Sequence, residues 1–253
     1  MISQTFNTIF YQPLYNGLVF LISHVPGADV GIAVVILTLL VKIIILPLSH
    51  KSVASQAKMR SIEPEIKKVK EKHKDKQEQA RQVMDLYKKH GVNPFSGCFL
   101  MLVQLPVIFA LYWVFFKGLA HNIDQNLLYS FVAVPEQINM HFLGFIDMAK
   151  KNIFLAALAG ISQYFQMKLS MPPIPVDIGE KKKGDISFKD EFAKNMNVQM
   201  RYMLPGIVFF VAYSISSAVA LYWLVSNLFS IGHELIVKRK ALQIVQEGKA
   251  VSF

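Results

Sequence analysis

Residues 30–48 read VGIAVVILTLLVKIIILPL, a 19-residue run broken by a single charge, Lys42. As an α-helix rising 1.5 Å per residue it covers about 28 Å, one hydrocarbon core of a bilayer. A helix satisfies its backbone polar groups internally, so this stretch predicts a membrane span. Further apolar blocks follow: FLMLVQLPVIFALYWVFF at 99–116, IFLAALAGISQYFQMKL at 153–169, and the long stretch 202–237. Pro106 in the second block is compatible with a kinked membrane helix. The last stretch is too long for one ordinary span. Ser214, Ser216 and Ser217 supply a turn near its middle, and two helices are expected, 202–215 and 218–237.

The expected fold class is therefore an all-α membrane protein with five transmembrane helices. Composition agrees: 53% of the 253 residues are hydrophobic and the mean hydropathy is +0.36. That length accommodates one membrane domain, 1–253, without a separate soluble module. Cys98 stands alone, so neither a disulfide framework nor a Cys-rich metal site is available within the chain. The start, MISQTFNTIF, precedes the first basic residue, Lys42, by a wide margin, so a secretory signal or transit peptide is not expected. No cysteine near the start offers a lipoprotein anchor.

The loops orient the spans. Lys plus Arg number 0 in 1–41, 12 in 49–98, 3 in 117–152, 7 in 168–201 and 4 in 238–253. Basic residues concentrate on the cytoplasmic side, so the N-terminus is expected outside and the C-terminus inside. Only an odd number of spans fits. The net charge of +10 is then a feature of cytoplasmic loops facing anionic lipid, with ribosomal RNA a secondary partner and no DNA partner expected.

Outside the spans, residues 5–23 mix aromatic, aliphatic and neutral polar side chains and are expected to form an interfacial helix on the outer leaflet. In 51–90, Met59, Ile62, Ile66, Val69 and His73 follow 3-4-3-4 spacing. Ala80, Val83 and Tyr87 repeat it after HKDK, predicting a cytoplasmic helical hairpin. Gly91 ends its second helix, and Asn93-Pro94 suits the start of the next one. The 170–200 segment, rich in Pro, Gly and Lys, reads as a cytoplasmic loop and 238–253 as a cytoplasmic tail.

Lys42 is the residue that needs explaining. A lysine at a helix centre costs ~2.5–3.5 kcal/mol on insertion scales, so it should face protein or water. Two readings stay open. Its stem snorkels toward headgroups beyond Leu48, roughly 9 Å of helix away, or it faces a wet cavity. Thr38 lies one turn away on the same face. Gln104, Gln163, Gln166, Ser214, Ser226 and Asn227 place polar groups in the other spans, where interhelical hydrogen bonds or water would satisfy them. No acidic residue inside a span is expected to pair with the lysine. No catalytic signature is found. His233-Glu234 opens like a zinc-protease helix, but Val237 occupies the position of the second histidine. There is neither a GxSxG elbow nor a phosphate-cradling loop. No cofactor, metal or enzymatic activity is expected.

Three stretches carry a family resemblance: LTLLVKIIILPLSHKSVASQAKMRSIEPEIKKVKEK at 37–72, LYKKHGVNPFSGCFLMLVQLPVIFALYW at 86–113 and ALYWLVSNLFSI at 220–231. Together they resemble the YidC/Oxa/Alb membrane protein insertases, in the bacterial branch, over most of 10–240. The resemblance implies a five-helix core around a hydrophilic groove open to the cytosol and to lipid. It implies a groove cation at Lys42, where bacterial members usually have arginine, and so the loss of a planar bidentate fork. Thr38 matches a groove-lining position, and Tyr222 with Trp223 matches an aromatic pair that meets substrate helices. The 51–90 hairpin corresponds to one that receives nascent chains, and the form is expected to be short, without a large outside domain. The function implied is a membrane protein insertase and chaperone of the bacterial inner membrane. Its expected partners are nascent membrane proteins, lipid, the ribosome and the Sec translocon. The candidate substrate-groove residues are Lys42, Thr38, Gln104, Gln163, Gln166, Tyr222, Trp223 and Asn227. The competing reading is a secondary transporter or channel with a midplane lysine, for which five unlike helices show no repeated halves.

Overall fold

The computed structural model describes residues 4–73, 75–93, 96–115, 123–170 and 199–246. The body of the expected 170–200 loop, the end of the expected tail, Pro94, and the first residues after the second apolar block lie outside the described residues. The described chain is mostly helical and forms two compact units.

The first unit comprises Met1–Leu46, Met101–Gln163 and Pro205–Ser230. Helix α1, Gln12–His24, carries Pro13 near its start, where the missing N–H costs nothing. Its Tyr15, Leu18, Val19 and Ile22 share one face and have no exposed surface. That face packs on helix α2, Val30–Ile44. Within the stretch expected to be interfacial, this face contributes to the core. Phe20 and, ahead of α1, Ile9 remain the exposed large apolar residues there. Polar side chains fasten α1 to a following loop. Asn16 donates to the Leu127 carbonyl at 2.8 Å and accepts from the Tyr129 N–H at 2.6 Å, while the Tyr15 hydroxyl accepts from the Asp124 N–H at 2.7 Å.

Asp29 starts α2. Its buried carboxylate accepts from the Gly31 and Ile32 N–H groups at 2.7 and 3.1 Å, capping orphan donors of the first turn. It also accepts from the Leu143 N–H at 2.9 Å. Leu143 belongs to the turn of a short hairpin, β1 (His141–Phe142) with β2 (Ile146–Asp147). Gly31 is required by this approach, because a Cβ there would lie 2.3 Å from the Phe142 ring.

Three long helices supply the rest of this core in part: α6 (Ser96–Trp113), α7 (Ile153–Ser170) and α9 (Ser217–Gln246), with the shorter α8, Leu204–Ser214, between the last two. Gly160 lets α7 approach α8, its Cβ position lying 3.2 Å from the Pro205 carbonyl oxygen.

The second unit comprises Pro47–Leu100, Tyr164–Leu204 and Ile231–Phe253. It contains most of α3 (Leu46–Ser61) and the pair α4 (Glu63–Lys72) and α5 (Lys76–Lys89), which pack on each other. Glu65 near the start of α4 meets His90 just beyond α5 at 3.2 Å, so the two helices are antiparallel. Gly91 follows at φ +63°, the left-handed conformation that suits glycine at a helix end.

The expected boundaries differ in several places, among them the first arm of the 51–90 hairpin, which breaks at Ile62 between Ser61 and Glu63. The helix beginning at Val30 breaks at Ile45, ahead of Leu48, and the last helix runs on to Gln246, past 237. By length and composition, Ser217–Arg239 is able to cross a membrane. Val30–Ile44 and Leu46–Ser61 pass that test only when joined across their break, and Val103–Trp113 is a shorter apolar helix.

Candidate functional site

Lys42 sits in the last turn of α2, 9% exposed, in the first unit. Its ammonium donates to Gln104 Oε1 on α6 and to Ser230 Oγ on α9, each at 3.3 Å. Ser230 in turn donates to the Ser226 carbonyl at 2.9 Å, so the lysine faces a hydroxyl lone pair. Gln104 has to present its oxygen here, since its amide nitrogen and the ammonium are both donors. That nitrogen is buried and has no hydrogen-bond partner among the described residues. Among the described residues Lys42 joins no ion pair. The result is a buried cation solvated by two neutral dipoles, with an unused donor beside it.

Of the other expected groove residues, Thr38 is 1% exposed on the same face of α2. Its hydroxyl donates to the Val34 carbonyl of its own helix at 2.6 Å and not toward the lysine. Asn227 donates to Ser162 Oγ at 3.1 Å and to the Ala159 carbonyl at 3.4 Å, joining α9 to α7 within the first unit. Gln163, beside Ser162, is buried. Tyr222 is 1% exposed in the apolar core, whereas Trp223 packs at the edge of that core and keeps some exposure. Gln166 belongs to the second unit, where it donates to Ser170 Oγ at 3.1 Å. Only Gln104 of the expected set bonds Lys42 directly.

Sequence reasoning passed over Ser230. Its signal was available: it lies three residues beyond Asn227 and four beyond Ser226, on one helical face. The expectation of no acid inside a span also requires correction. Glu234 lies within the stretch assigned to the last span and is 2% exposed. It is neutralised by Lys238, at 2.8 Å one turn further along α9, and accepts from Ser170 Oγ at 2.7 Å. Lys238 also donates to the Leu169 carbonyl at 2.6 Å, and the Arg60 guanidinium donates to the same oxygen. His50 and His233 place ring nitrogens 3.3 Å apart in this unit. No group of three or more metal-ligating side chains converges among the described residues.

Comparison with known proteins identifies the family. The family described as "60Kd inner membrane protein" matches residues 21–244. A Clostridium tetani protein named "Membrane protein insertase YidC" is 34% identical over 215 residues, 85% of this chain and 84% of that protein. One of the same name from Francisella tularensis subsp. novicida is 34% identical over 210 residues, 83% of this chain but 32% of the longer relative. Among solved structures, "Active YidC insertase crystal structure with the first transmembrane domain resolved" aligns with a TM-score of 0.57. It is 20% identical and covers 91% of this chain and 46% of that one, which establishes a shared fold. These relatives bear the name of an insertase and not of an enzyme class. The chain belongs to the 60Kd inner membrane protein family, the YidC/Oxa insertases.

Proposed function

We propose that this protein is a membrane protein insertase of the bacterial inner membrane that receives polar parts of nascent membrane proteins at Lys42. The observation that carries the reading is the buried ammonium held by two neutral acceptors. A buried cation without a carboxylate is costly unless water or an incoming anion completes its shell. An ammonium has three donors, and two are occupied here. The third N–H and the free amide nitrogen of Gln104 form a pair of donors suited to a carboxylate, a backbone carbonyl or water.

In this mechanism a charged tail or loop of the client enters a hydrated groove from the cytosol. The groove lowers the desolvation cost that lipid tails would impose. Lys42 and Gln104 hold the polar segment briefly while the adjoining apolar stretch meets the lipid-facing helices, with Trp223 as an aromatic contact. Partition of about 20 apolar residues into lipid exceeds what one hydrated ion pair contributes, so release needs no nucleotide.

The topology of the proposal is five spans with the N-terminus outside. It draws support from the first ends of α2, α7 and α9, all of which lie along the segment 139–152. The Val30 N–H donates to the Asn139 carbonyl, Asn152 caps α7 through the Leu155 N–H, and the Ser217 N–H donates to the Lys150 carbonyl. Three helices that start from one place run in the same sense, as alternate helices of an odd-numbered bundle must. The α4–α5 hairpin and the basic cytoplasmic segments then face the ribosome, and the Sec translocon is a lateral partner in the membrane.

The test is rescue of a YidC-depleted bacterium, together with photocrosslinking of a stalled nascent chain to positions 104 and 223. Growth with crosslinks is expected. A well-expressed protein that neither rescues nor crosslinks, yet carries small solutes into liposomes, would return the transporter reading.

A further inference from the structure

The hairpin that meets Asp29 has an unusual tip. Phe142 and Ile146 are paired across it and turn inward, Phe142 against the Gly31 backbone and Ile146 buried. Leu143 and Phe145 are 61% and 72% exposed. Leu143 has φ +52° and Gly144 φ +85°, so the turn places a leucine in a conformation that Asn or Gly adopts more cheaply. A water-exposed turn built of Leu-Gly-Phe contradicts ordinary turn chemistry, and two large apolar side chains in water gain nothing.

The position of the tip supplies the reason. The Leu143 N–H is bonded to the carboxylate that caps α2, which puts the tip level with the first turn of that helix. The same segment continues through the exposed Lys150 and Lys151 to Ile153 and Phe154, each 63% exposed in the first turn of α7. Apolar tip, cations and apolar helix start thus follow one another along 143–154, with Ile146 and Met148 turned inward between them.

We propose that Leu143 and Phe145 insert into the headgroup and upper acyl region of the outer leaflet, with Lys150 and Lys151 at the lipid phosphates. This rests on the outside placement of the first ends of α2 and α7 in the function proposed above. Aromatic and aliphatic residues flanked by lysine favour that zone. The hairpin is rigid enough to act as an anchor, because its turn is bonded to Asp29 and its second strand continues into the start of α9 through Met148 and Lys150. The occupant is the phospholipid surface and not a soluble partner, since exposed apolar residues recur at both ends of the segment, Leu143 and Phe145 at the tip and Ile153 and Phe154 on α7, with lysines between them.

The experiment uses full-length protein carrying Cys98→Ser, with single cysteines at Leu143→Cys, Phe145→Cys, Glu136→Cys and Phe210→Cys. Each is labelled with an environment-sensitive fluorophore in phosphatidylethanolamine–phosphatidylglycerol vesicles. Glu136 is an exposed loop control, and Phe210, 67% exposed on α8, is the control for span placement. Positions 143 and 145 are expected to be quenched by lipid carrying a nitroxide near the top of its acyl chain. They should also be protected from external iodide relative to position 136. Iodide quenching equal to that at 136 overturns the proposal, and so does shielding from both quenchers, which would mark a protein partner. A label at 210 quenched by a mid-chain nitroxide keeps the span reading intact in either case. Failure there would sink that reading together with the anchor.

Discussion

Two lysines of this chain, Lys42 buried and Lys238 half-buried, have opposite surroundings. Lys238 of the second unit lies 2.8 Å from Glu234 and also holds the Leu169 carbonyl, and Glu234 takes a further bond from Ser170. Every charge in that cluster has a partner, and the cluster closes the last turn of α7, where cations suit the helix carbonyls. Lys42 of the first unit has only neutral acceptors, with an unused amide donor beside it. A paired buried charge maintains architecture. One left without a counter-ion is costly to keep, and on that cost the proposed role of Lys42 in holding client segments rests.

Charge reversal at Lys42 should have the largest effect. Lys42→Glu is expected to abolish rescue of a YidC-depleted strain, while Lys42→Arg keeps it, as read by plating efficiency at matched expression. Equal growth of the two variants would break the contrast between the lysines. Glu234→Ala comes next, this time in stability. It leaves the Lys238 ammonium, partly buried, without its carboxylate, and breaking a buried pair costs about 3 kcal/mol. The thermal midpoint in detergent should fall, and Glu234→Gln, which keeps an acceptor for Ser170, should fall less. Lys42→Met sharpens the distinction from the other side. Removing a cation that has no counter-ion should leave the midpoint unchanged or higher, although rescue is lost; a large drop would show that Lys42 is structural.

The smallest effect belongs to an exposed pair. Lys150 and Asp147 approach to 3.1 Å, with the lysine side chain 81% exposed. Burial works to raise the Asp147 carboxyl, but the Lys150 ammonium and the Ala149 N–H outweigh it and hold the group below its usual value. A depressed acid contributes stability above its unfolded value, near pH 4, and loses it as pH falls through the folded one. Solvent screening keeps that contribution to a few tenths of a kcal/mol. Lys150→Ala should therefore leave the midpoint at neutral pH almost unaltered and slightly flatten its decline below pH 4.

Much of this was legible before any coordinates. Long apolar runs announce helices because backbone groups in lipid must bond within their own segment, and Lys42 stood out as a charge inside such a run. The 3-4 spacing from Met59 to His73 reads as one helical arm, whereas the chain breaks at Ile62 between α3 and α4, a bend that local periodicity does not show. The candidate site was legible only in part. Thr38 shares a face with Lys42, yet its hydroxyl had a closer acceptor in the Val34 carbonyl. Tyr222 and Trp223 are neighbours in sequence and point differently, one into the core and one to its edge. Adjacent helical residues are about 100° apart, so a paired motif does not imply a shared environment.

By itself the sequence determined the class of the protein, the helical content and the location of its one conspicuous cation, because hydropathy and periodicity are local properties that each segment carries alone. Which polar groups meet was decided by tertiary structure. Gln104 and Ser230 lie 62 and 188 residues from Lys42 in the chain, and Ser170 lies 64 from Glu234. A pairing across such distances depends on helix rotation and depth, which are set by packing small residues such as Gly31 and Gly160 against their neighbours.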